Sequence, residues 1–93
     1  MAGQVSNSDV VGVLQEIADI LEVKGENRYR ILGYRRGAES ILNLGRDIND
    51  IWQEGGLQEI PGVGEALSGK IDELLRTGQL AYLERLRQEV PPG

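Results

Sequence analysis

The chain has 93 residues, 40% hydrophobic and 27% charged, which suits one small domain closing a single core. It contains neither cysteine nor histidine, and this excludes disulfides, thiol nucleophiles, imidazole acid–base chemistry and the usual zinc sites. Ten basic residues against 15 acidic ones give a net charge of −5, which taken alone disfavours a polyanionic partner.

Ser8 stands where it could cap a first helix, with Asp9 favouring its start electrostatically. Val10, Val13, Leu14, Ile17, Ile20 and Leu21 then recur at spacings of three and four, with Gln15, Glu16, Asp19 and Glu22 opposite. That pattern predicts an amphipathic helix ending near Gly25. A second helix is predicted from Arg28 to Asn43, with Ile31, Tyr34, Ala38, Ile41 and Leu42 as its apolar face. Gly33 and Gly37 inside it each cost about 1 kcal/mol against alanine, so tertiary packing must support it. Their spacing would admit the close approach of another backbone.

Asp47 is placed to cap a short third helix whose Ile48, Ile51 and Trp52 face inward, Trp52 being expected in the core. After Gly55 and Gly56, a brief turn from Leu57 to Ile60 leads into Pro61-Gly62-Val63-Gly64. A further helix is predicted from Glu65 to Arg76, apolar at Leu67, Ile71, Leu74 and Leu75 and closed by Thr77-Gly78. A last one runs from Leu80 to Glu89, apolar at Leu80, Leu83 and Leu86, until Pro91-Pro92-Gly93 stops it. No stretch alternates at period two for long enough to be a strand. The expected architecture is all-α, a small bundle of about five helices forming a single domain over residues 1–93.

Charge distribution qualifies the acidic total. From Arg28 to Arg46 five arginines (Arg28, Arg30, Arg35, Arg36, Arg46) face one acid, Glu39, and the acidic excess lies elsewhere. Charges more than about 10 Å apart are largely screened at physiological salt, so a basic stripe can act locally. A solvated face would show the same clustering. No apolar run approaches the roughly 20 residues of a membrane-spanning helix. The polar start, Met1 to Asp9, lacks the layout of a signal peptide. A soluble intracellular protein is expected.

The stretch Leu57-Gln58-Glu59-Ile60-Pro61-Gly62-Val63-Gly64-Glu65-Ala66-Leu67-Ser68-Gly69-Lys70-Ile71 is the most informative. Two glycines flanking a valine predict a tight hairpin whose backbone can come close to a ligand. The amides of Val63 to Ala66 would lack partners in the helix they open, and the helix dipole adds positive potential there, so a phosphate oxygen suits that end. A turn that merely joins two packed helices has the same pattern.

Ile60-Pro61-Gly62-Val63-Gly64 followed by an apolar helix resembles the helix-hairpin-helix motif, which grips DNA backbone without reading bases. The resemblance extends further. Ala18 to Asn27, Arg30 to Ala38, Ala38 to Leu44, Asp47-Ile48, and Thr77-Gly78-Gln79-Leu80 through Leu83 to Leu86 are similar to the N-terminal domain of bacterial family X DNA polymerases. Glu89-Val90-Pro91-Pro92-Gly93 resembles the junction to that family's second hairpin, which implies that a parent chain continues past Gly93.

What the resemblance implies is a domain that holds the downstream end of gapped or nicked DNA, independent of sequence, with the 5′-phosphate in a basic pocket. It implies a monomer in the bacterial cytoplasm, associated with the nucleoid and engaged in gap-filling base excision repair. By position, Arg30, Tyr34, Arg35 and Arg36 would face DNA, as would Gly62, Val63, Gly64, Glu65, Ala66 and Lys70. Arg offers bidentate contacts to phosphate, and Tyr can stack or donate a hydrogen bond, although Tyr34 at that position also suits a core. Backbone carbonyls of Gln58, Ile60 and Val63 would hold a monovalent cation, Na⁺ or K⁺. The Mg²⁺ sites of polymerisation would lie in the remaining polymerase domains of the parent chain, outside these residues.

In the lyase members of that family a lysine forms a Schiff base with a 5′-deoxyribose phosphate, and Lys70 aligns with it. Ala66 replaces a basic residue of those members, Gly69 replaces a glutamate, and Glu65 adds negative charge at the hairpin exit. Three readings therefore stand side by side: a DNA-end-binding module, a lyase acting through Lys70, and a helical protein-interaction domain without DNA binding. Steep salt dependence, flattened by Arg35→Ala or Arg36→Ala, is expected of the first and not of the third.

Overall fold

In the computed structural model, which describes residues 4–90, the first helix α1 spans Asn7–Val23 and is capped by Ser6 rather than Ser8. The Ser6 hydroxyl accepts from the Asp9 amide at 3.1 Å, while the Asp9 carboxylate accepts from the Ser6 amide at 2.9 Å. This reciprocal box explains the earlier start, since Asp9 serves the cap from inside the first turn. At the other end Gly25 adopts φ 74°, and the Glu26 amide returns to the Leu21 carbonyl. Such a left-handed closure needs glycine.

Helix α2, Arg28–Leu42, is capped by the Asn27 side chain and buries Gly37, Ala38 and Ile41, with Gly37 set against Leu14 of α1 and Leu67. Leu42 does not belong to that face: it is 65% exposed, and Leu44 packs on the core instead. Leu42 lies about 100° around the helix from the buried Ile41, just where the helix ends. A Cβ on Gly37 would lie 2.6 Å from Leu67 Cδ2, so this glycine admits a side chain, not a second backbone. Gly33 has nothing within 4 Å of that position.

Helix α3, Ile48–Gln53, is capped by Asp47, and Ile48 and Ile51 are buried. Trp52 is a correction to the sequence reading, being only partly buried at the core's rim with its indole N–H donating to Asp72 at 2.8 Å. That polar edge needs a partner and so keeps the ring near the surface. The same bond holds the Asp72 carboxyl below its usual range. Two asparagines fasten the start of the chain to α3. Asn49 donates to the Val5 carbonyl at 2.7 Å from a buried position, and Asn7 accepts from the Ile48 amide at 2.8 Å.

A 3₁₀ turn, Leu57–Glu59, precedes α4, Glu65–Thr77, which ends on the left-handed Gly78. Helix α5, Ala81–Glu89, begins one residue after the predicted Leu80, which is extended and buried as the residue before it. Glu73 of α4 caps it by accepting from the Ala81 amide at 2.9 Å. Arg87 grips Glu16 with two bonds of 2.7 and 2.8 Å, tying α5 to α1. The expected stop at Pro91-Pro92-Gly93 lies outside the described residues.

One hydrophobic cluster runs from Val5 to Leu86. Leu14, Ile17, Leu21, Ile41, Ile48 and Ile71 are each less than 2% exposed. At about 2 kcal/mol for each such side chain, this burial readily offsets the two glycines in α2. The described residues contain no strand, and no helix among them is long and apolar enough to cross a membrane.

Candidate nucleic-acid interface

The turn before α4 is built around Gly62. The Val63 amide donates to the Ile60 carbonyl at 3.0 Å, and Gly62 takes φ 84° directly after Pro61. A left-handed third residue after proline is what a type II turn requires. Ile60 and Val63 are each 4% exposed and root the turn in the core, leaving Pro61, Gly62 and Gly64 at the surface. A Cβ on Gly62 would lie 3.7 Å from the Arg36 carbonyl carbon. The close backbone approach anticipated for Gly33 and Gly37 therefore occurs here, between the hairpin and α2.

The Val63 amide is spent within the turn and is not free for a ligand, contrary to the sequence expectation. Gly64 caps α4 without a side chain, and the amides of Gly64, Glu65 and Ala66 have no hydrogen-bond partner among the described residues. The positive end of the helix dipole coincides with these donors. Two of the three carbonyls proposed for a cation, those of Gln58 and Val63, accept from no backbone amide among the described residues. Ile60 accepts from Val63 and keeps a second lone pair.

A cleft of about 440 Å³ opens between this hairpin and α2. Arg30, Tyr34, Gly62, Gly64, Glu65, Ala66 and Lys70 all line it, so most of the sequence-predicted contacts share one site; Gly33 and Leu67 join them. Arg35 does not. Its guanidinium reaches Asp19 at 3.0 Å and Glu22 at 2.7 Å, so its charge is matched by carboxylates of α1. Arg36 lies beneath the hairpin and has no ion-pair partner among the described residues. Glu65 brings the one acidic side chain in the cleft lining.

Tyr82 of α5 stands behind the cleft, and the sequence reading overlooked it. Arg30 donates to its hydroxyl at 2.6 Å, and the Lys70 ammonium lies 4.9 Å from its ring centroid. Arg85 approaches the same ring at 5.9 Å, and Tyr34 stacks on it at 6.4 Å with 15° between the planes. Burial, then the neighbouring Tyr82, pushes the Tyr34 phenol up to about 12, so it remains a hydrogen-bond donor. Tyr82 follows no apolar period of α5. An aromatic residue on the polar side of a helix, three positions before Arg85, was the one signal available.

A family model described as a helix-hairpin-helix domain matches residues 5–80. The chain is 27% identical over 85 residues to DNA polymerase/3'-5' exonuclease PolX of Bacillus subtilis (strain 168). It is 28% identical over 85 residues to DNA polymerase lambda of Rattus norvegicus. Each match covers 91% of this chain, which spans 14% of the length of either relative.

Proposed function

The chain belongs to the helix-hairpin-helix domain family, in the form found in family X DNA polymerases, and we propose that it holds gapped DNA by its downstream 5′-phosphate. The observation that carries this reading is convergence: Arg30, Lys70 and the unpartnered amides at the start of α4 border one cleft. A terminal phosphate brings about −1.5 to −2 charge and three acceptor oxygens, which matches cations and amide donors together. None of these groups needs a base edge, so the grip is independent of sequence. Arg36 beneath the hairpin extends the positive surface along the strand, whereas Arg35 serves α1.

The Gln58 and Val63 carbonyls, which accept from no backbone amide among the described residues, and the second lone pair of Ile60 would serve Na⁺ or K⁺, hard cations that take oxygen ligands. Such an ion would reduce repulsion between the carbonyl edge of the hairpin and an adjacent phosphate. In a parent polymerase the domain would keep the gap in register for repair synthesis, while the remaining domains supply Mg²⁺ and the chemistry. Fluorescence anisotropy with a one-nucleotide-gapped duplex and an intact duplex of the same sequence tests the grip. Tighter binding to the gapped duplex is expected. Equal affinities, or no binding at 50 mM salt, would sink this reading.

Lys70 is the lysine of the cleft, and this favours a second reading, in which its amine traps a 5′-deoxyribose phosphate. Borohydride trapping on a nicked duplex carrying that group distinguishes the two. An adduct lost in Lys70→Ala and kept in Lys24→Ala marks a lyase. An absent adduct, or one indifferent to Lys70, leaves a domain that binds without chemistry.

A further inference from the structure

Six of the ten basic residues are ion-paired: Lys24, Arg30, Arg35, Arg46, Arg76 and Arg87. With 15 carboxylates in a small domain, pairing is the expected fate of a cation. Among the described residues Arg28, Arg36, Lys70 and Arg85 make no such pair, and the last two lie over the ring of Tyr82. Arg30 makes only a long contact to Glu26, 3.4 Å, and a much shorter one, 2.6 Å, to the Tyr82 hydroxyl. A single neutral side chain thus gathers three positive groups that would otherwise stray or find carboxylates.

We infer that Tyr82 is a positioning residue that orders the cleft's Arg30 and Lys70 without neutralising them, and so sets the preference of the cleft for a phosphorylated 5′ end. The inference rests on the phosphate reading above. A free Arg or Lys side chain loses rotamer freedom when it grips an anion, and ordering it beforehand lowers that cost. A carboxylate at position 82 would order the same groups and cancel one of their charges. An aromatic ring attracts cations through its face, and a phenol accepts a hydrogen bond, with no net charge in either case. Tyr34, which lines the cleft, stacks on the same ring at 6.4 Å.

The test is the ratio of dissociation constants for gapped duplexes ending in 5′-hydroxyl and 5′-phosphate, measured on the 93-residue chain and on Tyr82→Phe, Tyr82→Leu and Tyr82→Glu. The unaltered chain should prefer phosphate by about tenfold or more, as two charge-assisted contacts allow. Tyr82→Phe keeps the ring and loses the Arg30 bond, so the ratio should fall about threefold. Tyr82→Leu should bring it within about twofold of unity, and Tyr82→Glu should do the same although it still offers Arg30 an acceptor. Thermal melts by circular dichroism confirm that each variant folds, and Tyr82→Phe serves if the others do not. A wild-type ratio retained in both Tyr82→Phe and Tyr82→Glu would overturn the role of Tyr82 and leave the phosphate cleft standing. A ratio near one in the unaltered chain would remove the cleft reading and the inference with it.

Discussion

Arg35 and Arg36 are neighbours in sequence and indistinguishable by charge, yet their alanine variants should behave differently with salt. Arg30 and Lys70 line the cleft, and Arg36 lies under the hairpin with no carboxylate partner among the described residues. If these three neutralise three phosphates, log K falls with log salt at a slope of about −2.7, at about 0.9 per phosphate. From 50 to 200 mM salt that is about a 40-fold loss of affinity. Arg36→Ala should reduce the slope to about −1.8 and the loss to about 12-fold. Arg35 already faces Asp19 and Glu22, so Arg35→Ala should leave the slope near its original value. Unmasking those two exposed acids should lower affinity modestly, and most at low salt, where screening is weakest. Anisotropy titrations of a gapped duplex at four salt concentrations give all three slopes. A flattened slope in Arg35→Ala with none in Arg36→Ala would refute the assignment of which arginine meets DNA.

Two glycines should respond oppositely to alanine. Gly62→Ala forces a left-handed residue at a φ of 84°, costing about 1–2 kcal/mol, or a melting temperature lower by about 5–10 °C for a domain of this size. Gly33→Ala meets nothing within 4 Å and should gain about 1 kcal/mol from helix propensity; thermal melts showing the same sign for both would contradict the turn geometry. Because the Tyr34 phenol is raised from 10.0 to about 12, the folded chain retains a proton there that the unfolded chain releases. Its contribution to stability is therefore full below pH 10 and declines as pH rises towards 12. In a 295 nm titration, Tyr34→Phe should remove a late component, and loss of one centred near 10 instead would contradict the burial argument.

The helices were legible in the chain because their signals are local. Apolar residues at spacings of three and four mark α1 and α4, and glycines mark their ends. Asp47 sits where a cap belongs, whereas the Asn27 cap of α2 went unread although asparagine suits that position. Two of the errors are local as well: a serine two positions upstream won the cap of α1 because Asp9 could answer it, and Leu42 fell just off its stripe; the third, Trp52, turned on Asp72, 20 positions away. The hairpin was also legible, since Pro61-Gly62 dictates its turn through the φ each residue allows.

The cleft was legible only as a set of candidates. Sequence placed Arg30, Tyr34 and Lys70 on two helices without showing that both face one hairpin. It could not separate Arg35 from Arg36, because the carboxylates that claim Arg35 are on α1, 13 and 16 residues away. It passed over Tyr82, whose partners Arg30 and Lys70 are 52 and 12 positions distant. Backbone conformation depends on near neighbours, so composition and spacing determine elements and turns. Which charges are cancelled and which stay available depends on side chains brought together from distant helices, and only the packed core decides that.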